Sequence, residues 1–158
     1  MYLKEFEIRW SDVDANMHLR NSAYIDFMSH TRMVFLQENG LSFKNLAKLG
    51  IGPIALYEQM FYFKEIFPDQ KIRVSVELHG VSEDGKFFEF VHNFYDEAGA
   101  NAARCLMGGS WVDMRTRKLT GISEEYLSAI NKLSKTPDFK VMTSEDTRRF
   151  QQFPMNLE

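Results

Sequence analysis

Apolar and polar residues alternate from Tyr2 to Trp10, with Tyr2, Lys4, Phe6, Ile8 and Trp10 on one side and Leu3, Glu5, Glu7 and Arg9 on the other. That period predicts a half-exposed strand over 2–10. After a loop rich in Asp and Asn the period changes, and Tyr24, Phe27, Met28, Thr31, Phe35 and Asn39 recur at helical spacing, which predicts a long helix over 22–39. Asn21 or Ser22 can cap its start, and Gly40 its end. Ser42 to Leu49, closed by Gly50, predicts a further turn or two of helix.

From there to residue 112 the chain reads as strands: Gly52–Phe67, Lys71–Val81, Lys86–Tyr95 and Asn101–Val112. Ser82-Glu-Asp-Gly85 and Asp96-Glu-Ala-Gly99 each place glycine where a tight hairpin needs positive φ, so the last three strands should form an antiparallel meander. Gly108-Gly109 inside a strand predicts a bulge or a close backbone contact. Ser123 opens a second helix over 124–133, with Glu residues in its first turn and Lys132 in its last. Residues 136–158 are polar with scattered Phe, and are expected to extend the same domain by wrapping its surface or a partner. One apolar helix covers only part of one sheet face, so the aromatic strands need cover elsewhere, and self-association supplies it most simply.

Composition narrows the function classes. At 158 residues the chain suits a single domain, and 44% apolar against 26% charged residues suits an ordinary packed core. Nineteen Lys and Arg against 22 Asp and Glu give a formal charge of -3, without the basic excess of a phosphate-backbone binder, so no nucleic-acid partner is expected. The one cysteine, Cys105, cannot form an internal disulfide, which favours a reducing compartment. With no apolar leader at the start and no apolar run of membrane-spanning length, the expected address is the cytoplasm, with no membrane partner. Fourteen Phe and nine Met point to a bulky core, a large apolar pocket or an apolar interface.

The chemistry concentrates in Arg9-Trp-Ser-Asp-Val-Asp-Ala-Asn-Met-His-Leu-Arg-Asn-Ser-Ala-Tyr24, which packs two Asp, two Asn and one His into a loop directly before a helix. Such a junction offers a carboxylate and unpaired backbone N–H groups to one point, as the attack on an acyl carbonyl requires. The plainer reading is that Asp12, Asp14 and Asn16 stabilise a turn and Asn21 caps a helix.

On Arg9, Trp10, Asp12, Asp14, His18, Asn21 and Tyr24, with Arg32 later in the helix, the chain resembles the 4-hydroxybenzoyl-CoA thioesterase-like group of hotdog-fold thioesterases. The group's pattern is Arg-aromatic-x-Asp-x-Asp-x-x-Gly-His-Val-Asn-Asn-x-x-Tyr followed by a helix, and the resemblance spans about residues 3–135. It implies an α+β hotdog fold over 1–135, an antiparallel sheet wrapped around the long helix, assembled as a homodimer or homotetramer. It implies hydrolysis of an acyl thioester without a cofactor, with Asp14 as nucleophile or general base, the Asn21 backbone N–H as oxyanion donor and His18 assisting. Asn16, Met17, Tyr24 and Glu58 are the expected substrate contacts. Met17 departs from the pattern's glycine, Arg20 from its first asparagine and Ser29 from a helix glutamate found in many members. Asp14-Ala-Asn-Met-His18 is also similar to the Asp-x-Asn-x-His of plant acyl-ACP thioesterases, so the carrier is CoA or acyl carrier protein. The remaining classes are a hotdog hydratase or dehydratase and a module that binds an acyl thioester without cleaving it.

Other residues carry less. His18, His30, His79 and His92 lack metal-ligand spacing, so no metal is expected. His18 either orients loop and substrate or makes a loop hydrogen bond, and His30 reads as a structural hydrogen-bonding residue within the helix. Glu58 is an exposed strand position or an active-site carboxylate. Cys105 has no basic neighbour in sequence, no serine sits in a Gly-x-Ser-x-Gly elbow, and Cys105 reads as core.

Overall fold

The computed structural model describes residues 1–157. The strands are β1 (Tyr2–Glu7), β2 (Ile51–Tyr62), β3 (Lys71–Val81), β4 (Phe87–Tyr95), β5 (Asn101–Asp113), β6 (Leu119–Thr120) and β7 (Lys135–Val141). The helices are α1 (Asn21–Glu38), α2 (Phe43–Leu49) and α3 (Glu124–Ile130). The sheet runs β1-β3-β4-β5-β2, with β6 added to β5 and β7 to β3. It is the expected α+β hotdog arrangement. Ala23, Tyr24, Phe27, Met28, Thr31, Phe35 and Leu36 of α1 are buried, in one core with Val74, Val76, Leu78, Phe88, Phe90 and Phe94 of the sheet.

Turn chemistry acts as expected where glycine must take a left-handed conformation. Gly85 (φ 66°) and Gly99 (φ 85°) close the β3–β4 and β4–β5 hairpins of an antiparallel meander. The paired glycines of β5 answer to close approach. A Cβ on Gly108 would lie 2.2 Å from the Tyr57 ring, and one on Gly109 2.4 Å from Phe88. The bulge itself falls across the ladder, between Ala55 and Tyr57 of β2.

Several boundaries differ from expectation. β1 stops at Glu7, because Arg9 N–H and guanidinium converge on Asp12 and turn Trp10–Asp12 into a 3-10 helix. Trp10 is therefore 89% exposed rather than part of the inner face. Helix α1 begins one residue early with Arg20 at its cap, and neither Asn21 nor Ser22 caps it; the Asn21 side chain accepts from Ser22 N–H instead. β2 ends at Tyr62 rather than Phe67, since the Phe63 and Lys64 N–H groups both donate to the Ala102 carbonyl and draw the chain off the ladder. Helix α3 ends at Ile130, so Lys132 lies beyond its last turn. The His30 side chain makes no hydrogen bond among the described residues; it is exposed and packs edge-on against Phe6 at 5.7 Å between ring centres.

The largest difference is the extension. Its first part is β7, a parallel strand whose Lys140 and Val141 lie beside Gly80 and Val81 of β3. Beyond it Arg149 donates to Glu89, a fully buried carboxylate on the sheet face opposite Phe88 and Phe90. Tyr57 O–H also donates to Glu89, and His79 Nε2 lies 3.5 Å from it. Expected to wrap a surface, residues 136–150 are tied into the sheet; Glu158 lies outside the described residues.

Candidate active site

The site grows from the loop between β1 and α1. Asp12 is fully buried and gripped by Arg9 through two bonds of 2.9 Å, which hold its carboxyl below the usual carboxylate range. Its carbonyl accepts from Arg20 N–H at 2.8 Å. Asp12 thus positions the residue that enters α1 and has no oxygen free for chemistry. Asp14 differs. It opens a tight turn in which Met17 N–H returns to the Asp14 carbonyl at 3.0 Å, and its Oδ1 accepts from Asn16 N–H at 2.8 Å. Oδ2 faces His18 Nδ1 at 3.4 Å, with 31% of the side chain exposed. Turn-building and a free carboxylate oxygen therefore coexist in one residue.

Met17 explains the glycine of the pattern it resembles. Its φ is 62°, in the left-handed region that glycine occupies without cost. The chain keeps the turn by spending backbone strain on an exposed methionine.

Asp14, His18, Asn21 and Tyr24 share the wall of one cavity of about 430 Å³ with Leu19, Tyr62, Phe63, Lys64 and Glu65. At the helix start, Ala23 N–H is taken by the Arg20 carbonyl and Ser22 N–H by the Asn21 side chain. Among the described residues nothing accepts from the Asn21 N–H, which leaves it for a ligand oxygen. Tyr24 stands behind it, edge-on to Tyr62 at 5.1 Å, and burial pushes its hydroxyl up to about 12, so it stays a neutral phenol.

Three expected contacts lie elsewhere. Asn16 and Met17 sit on the exposed turn and do not line the cavity. Glu58 is two-sided: its main chain is open on β2, whereas its side chain, 23% exposed, lies 3.9 Å from Arg32 farther along α1. The sequence reading missed Tyr62, Phe63, Lys64 and Glu65. They reach the cavity because β2 ends early, after which the Ile66 carbonyl accepts from Leu19 N–H at 2.7 Å and pins this turn against the loop. The break in alternation at Tyr62-Phe63-Lys64 is the one signal for it. Cys105 is buried core as expected, and burial pushes its thiol up to about 12.

A carboxylate, an imidazole and a helix-start N–H without a protein acceptor among the described residues thus belong to residues lining one cavity, inside a sheet wrapped on a helix. The thioesterase-like superfamily model matches residues 8–130. The chain belongs to that superfamily and is a thioester hydrolase. No sequence among curated proteins matches it. Among solved structures, a hypothetical protein of Staphylococcus aureus in complex with CoA aligns at a TM-score of 0.77 and 16% identity, over 99% of this chain and 95% of that one. A 1,4-dihydroxy-2-naphthoyl-CoA thioesterase from Synechocystis aligns at 0.74 and 14% identity, over 84% and 96%. A hypothetical protein of Aquifex aeolicus aligns at 0.76 and 20%, over 82% and 99%. No helix among the described residues is long and apolar enough to cross a membrane.

Proposed function

We propose that the chain hydrolyses acyl-CoA thioesters at the cavity before α1. The carrying observation is that Asp14 and Asn21 line one cavity, Asp14 with an oxygen the turn does not use and Asn21 with an N–H that has no acceptor among the described residues. The thioester oxygen accepts from Asn21 N–H, where the helix dipole favours the negative charge that develops on attack. Asp14 either takes a proton from water as its oxygen bonds to the carbonyl carbon, or attacks that carbon itself to give an anhydride that water opens. On both routes the C–S bond breaks, the thiolate leaves and is protonated, and one water oxygen enters the products. His18, 3.4 Å from Oδ2, keeps the carboxylate aimed at the cavity.

Tyr24 forms the apolar wall beside the acyl group, Asn16 and Met17 meet the carrier arm from the exposed turn, and Glu58 acts farther along the acyl path. A CoA-bound neighbour of the same fold favours CoA as carrier, with acyl carrier protein as the alternative. Exposed Leu56, Phe61 and Tyr62 on edge strand β2, with Phe63 and Phe67 beyond it, support assembly as a homodimer or homotetramer.

Thiol release from a panel of acyl-CoAs tests the reading. A hydratase would alter the acyl chain without releasing thiol, and a binding module would do neither. Sedimentation equilibrium at micromolar concentration tests the assembly, which a dominant 18.5 kDa species would refute.

A further inference from the structure

α1 and β2 run side by side in opposite senses. Tyr24 meets Tyr62 at one end of the seam, Arg32 lies beside Glu58 farther on, and a second cavity of about 280 Å³ follows between Ser29–Leu36 of α1 and Pro53–Ala55 of β2. The walls of this cavity are apolar, from Met33, Leu36, Phe88, Phe90, Met107 and Trp111, apart from Arg32 and Ser29. A buried cation in such a place is costly without a full counter-charge. Arg32, 13% exposed, has none at hydrogen-bond distance. It donates to Ser29 Oγ at 3.0 Å and to His92 Nε2 at 3.1 Å, both neutral acceptors, while Glu58 stays 3.9 Å away and is not among the cavity walls. His92 is neutral here because its Nδ1 proton goes to the Ser75 carbonyl at 2.7 Å, and burial beside Arg32 pushes its ring down to about 3. The indole N–H of Trp111 is also buried, and it has no acceptor among the described residues. Among the described residues the polar side chains on these walls are thus a guanidinium, an indole N–H and a serine hydroxyl that can still donate, with no carboxylate.

We propose that this second cavity receives the far end of the acyl chain and that Arg32 selects chains ending in a carboxylate, that is, monothioesters of dicarboxylic acids. The inference rests on the thioester reading of the first cavity. From Asn21 to Arg32 the helix rises about 16 Å, and the Arg32 guanidinium reaches back three residues to Ser29, which leaves about 12 Å, close to the ~13 Å that four residues of strand span from Tyr62 to Glu58. At roughly 1.2 Å per bond in an extended chain, the distance corresponds to about ten bonds. Decanedioyl-CoA places its terminal oxygens at that reach. Glu58 holds Arg32 loosely and tempers its charge, so it lowers anion affinity without filling the cavity.

Calorimetry with non-hydrolysable thioether analogues of CoA tests this, using ten-carbon chains that end in carboxylate or in methyl. The wild-type protein should bind the acid-ended chain at least about tenfold more tightly, the scale of a hydrogen bond to a charged group. The preference should vanish for four-carbon chains. Arg32→Met should reverse it, Arg32→Lys should keep part of it, and Glu58→Gln should enlarge it severalfold, which a purely structural Arg32 would not produce. Equal or tighter binding of the methyl-ended chain by the wild-type protein overturns the proposal, as does an acid preference that survives in Arg32→Met. The wild-type comparison decides the matter even if Arg32→Met fails to fold. Thiol release from decanedioyl-CoA and decanoyl-CoA separates the two readings. Tight acid-selective binding without any hydrolysis sinks the hydrolase, and hydrolysis without selectivity sinks the role of Arg32.

Discussion

The molecule holds two clusters made of the same three kinds of side chain: Asp14, His18 and Tyr24 at the start of α1, and Glu89, His79 and Tyr57 on the opposite face of the sheet. By residue type either could be a site. They differ in what is left unsatisfied. Glu89 is fully buried and receives Arg149 and Tyr57, while His79 Nδ1 is engaged by Thr136 at 3.0 Å and Asp138 at 3.3 Å. Asp14 spends one oxygen on the turn, and the part-exposed side chain lines a cavity with its other oxygen opposite His18. Closed clusters hold chains together, and open ones are available to react.

The strongest way to break this contrast is Asp14→Ala. Turnover of the best thioester should fall by about 10²–10⁴, the range for losing a positioned base, with the melting temperature little changed. A rate near wild type would place the chemistry elsewhere. Asn21→Pro removes the free N–H at a position where proline fits a helix start, and should cost about 10²–10³ in turnover. Asn21→Ala keeps that N–H and should cost about 1 kcal/mol of stability at most, with a much smaller loss of rate. Because proline also restricts Arg20, a crystal structure of the variant must show the loop undisturbed before the rates are compared.

The closed cluster should behave in the opposite way. Arg149→Ala leaves Glu89 buried without its cation and should destabilise the fold by ~3 kcal/mol in denaturant unfolding, while turnover of the best acyl-CoA stays within about twofold. A large loss of rate at unchanged stability would make that cluster the working site.

His92 gives a smaller, pH-dependent effect. The unfolded chain binds a proton on this ring near 6.5 and the folded chain only near 3, so acid favours unfolding within that window. Melting temperature should fall as pH drops from 6.5 towards 3, more steeply in wild type than in His92→Gln. The smallest expected change is at Met17. Met17→Gly relieves the left-handed φ but adds unfolded-state freedom, so the net gain should stay under about 1 kcal/mol, with turnover preserved.

Much of the architecture was legible because it rests on local rules. The helical period of Tyr24, Phe27, Met28 and Phe35 marked α1, and Gly85 and Gly99 marked the meander. What escaped depended on partners distant in sequence. Nothing near Trp10 announces that Arg9 will fold onto Asp12, and the end of β2 is set by the Ala102 carbonyl, some forty residues on. β7 carries Pro137 and mostly polar residues, because an edge strand has one open side and tolerates both. Asp14, His18, Asn21 and Tyr24 could be grouped from sequence because the loop and helix start are contiguous. Tyr62 to Glu65 could not, since only the folded turn after β2 delivers them to the same cavity.

The outer edge of β3 is shared. β1 pairs with Lys71 to Val76, and β7 takes over at Leu78, Gly80 and Val81. One rim of the sheet is thus sealed in two instalments that enter the ribosome's output more than a hundred residues apart. Until β7 emerges, a nascent chain carries Gly80 and Val81 as an unpaired ribbon open to a neighbouring copy. Closure of this rim therefore waits on β7, and a chain truncated before Lys135 should collect in inclusion bodies rather than fold as a smaller enzyme.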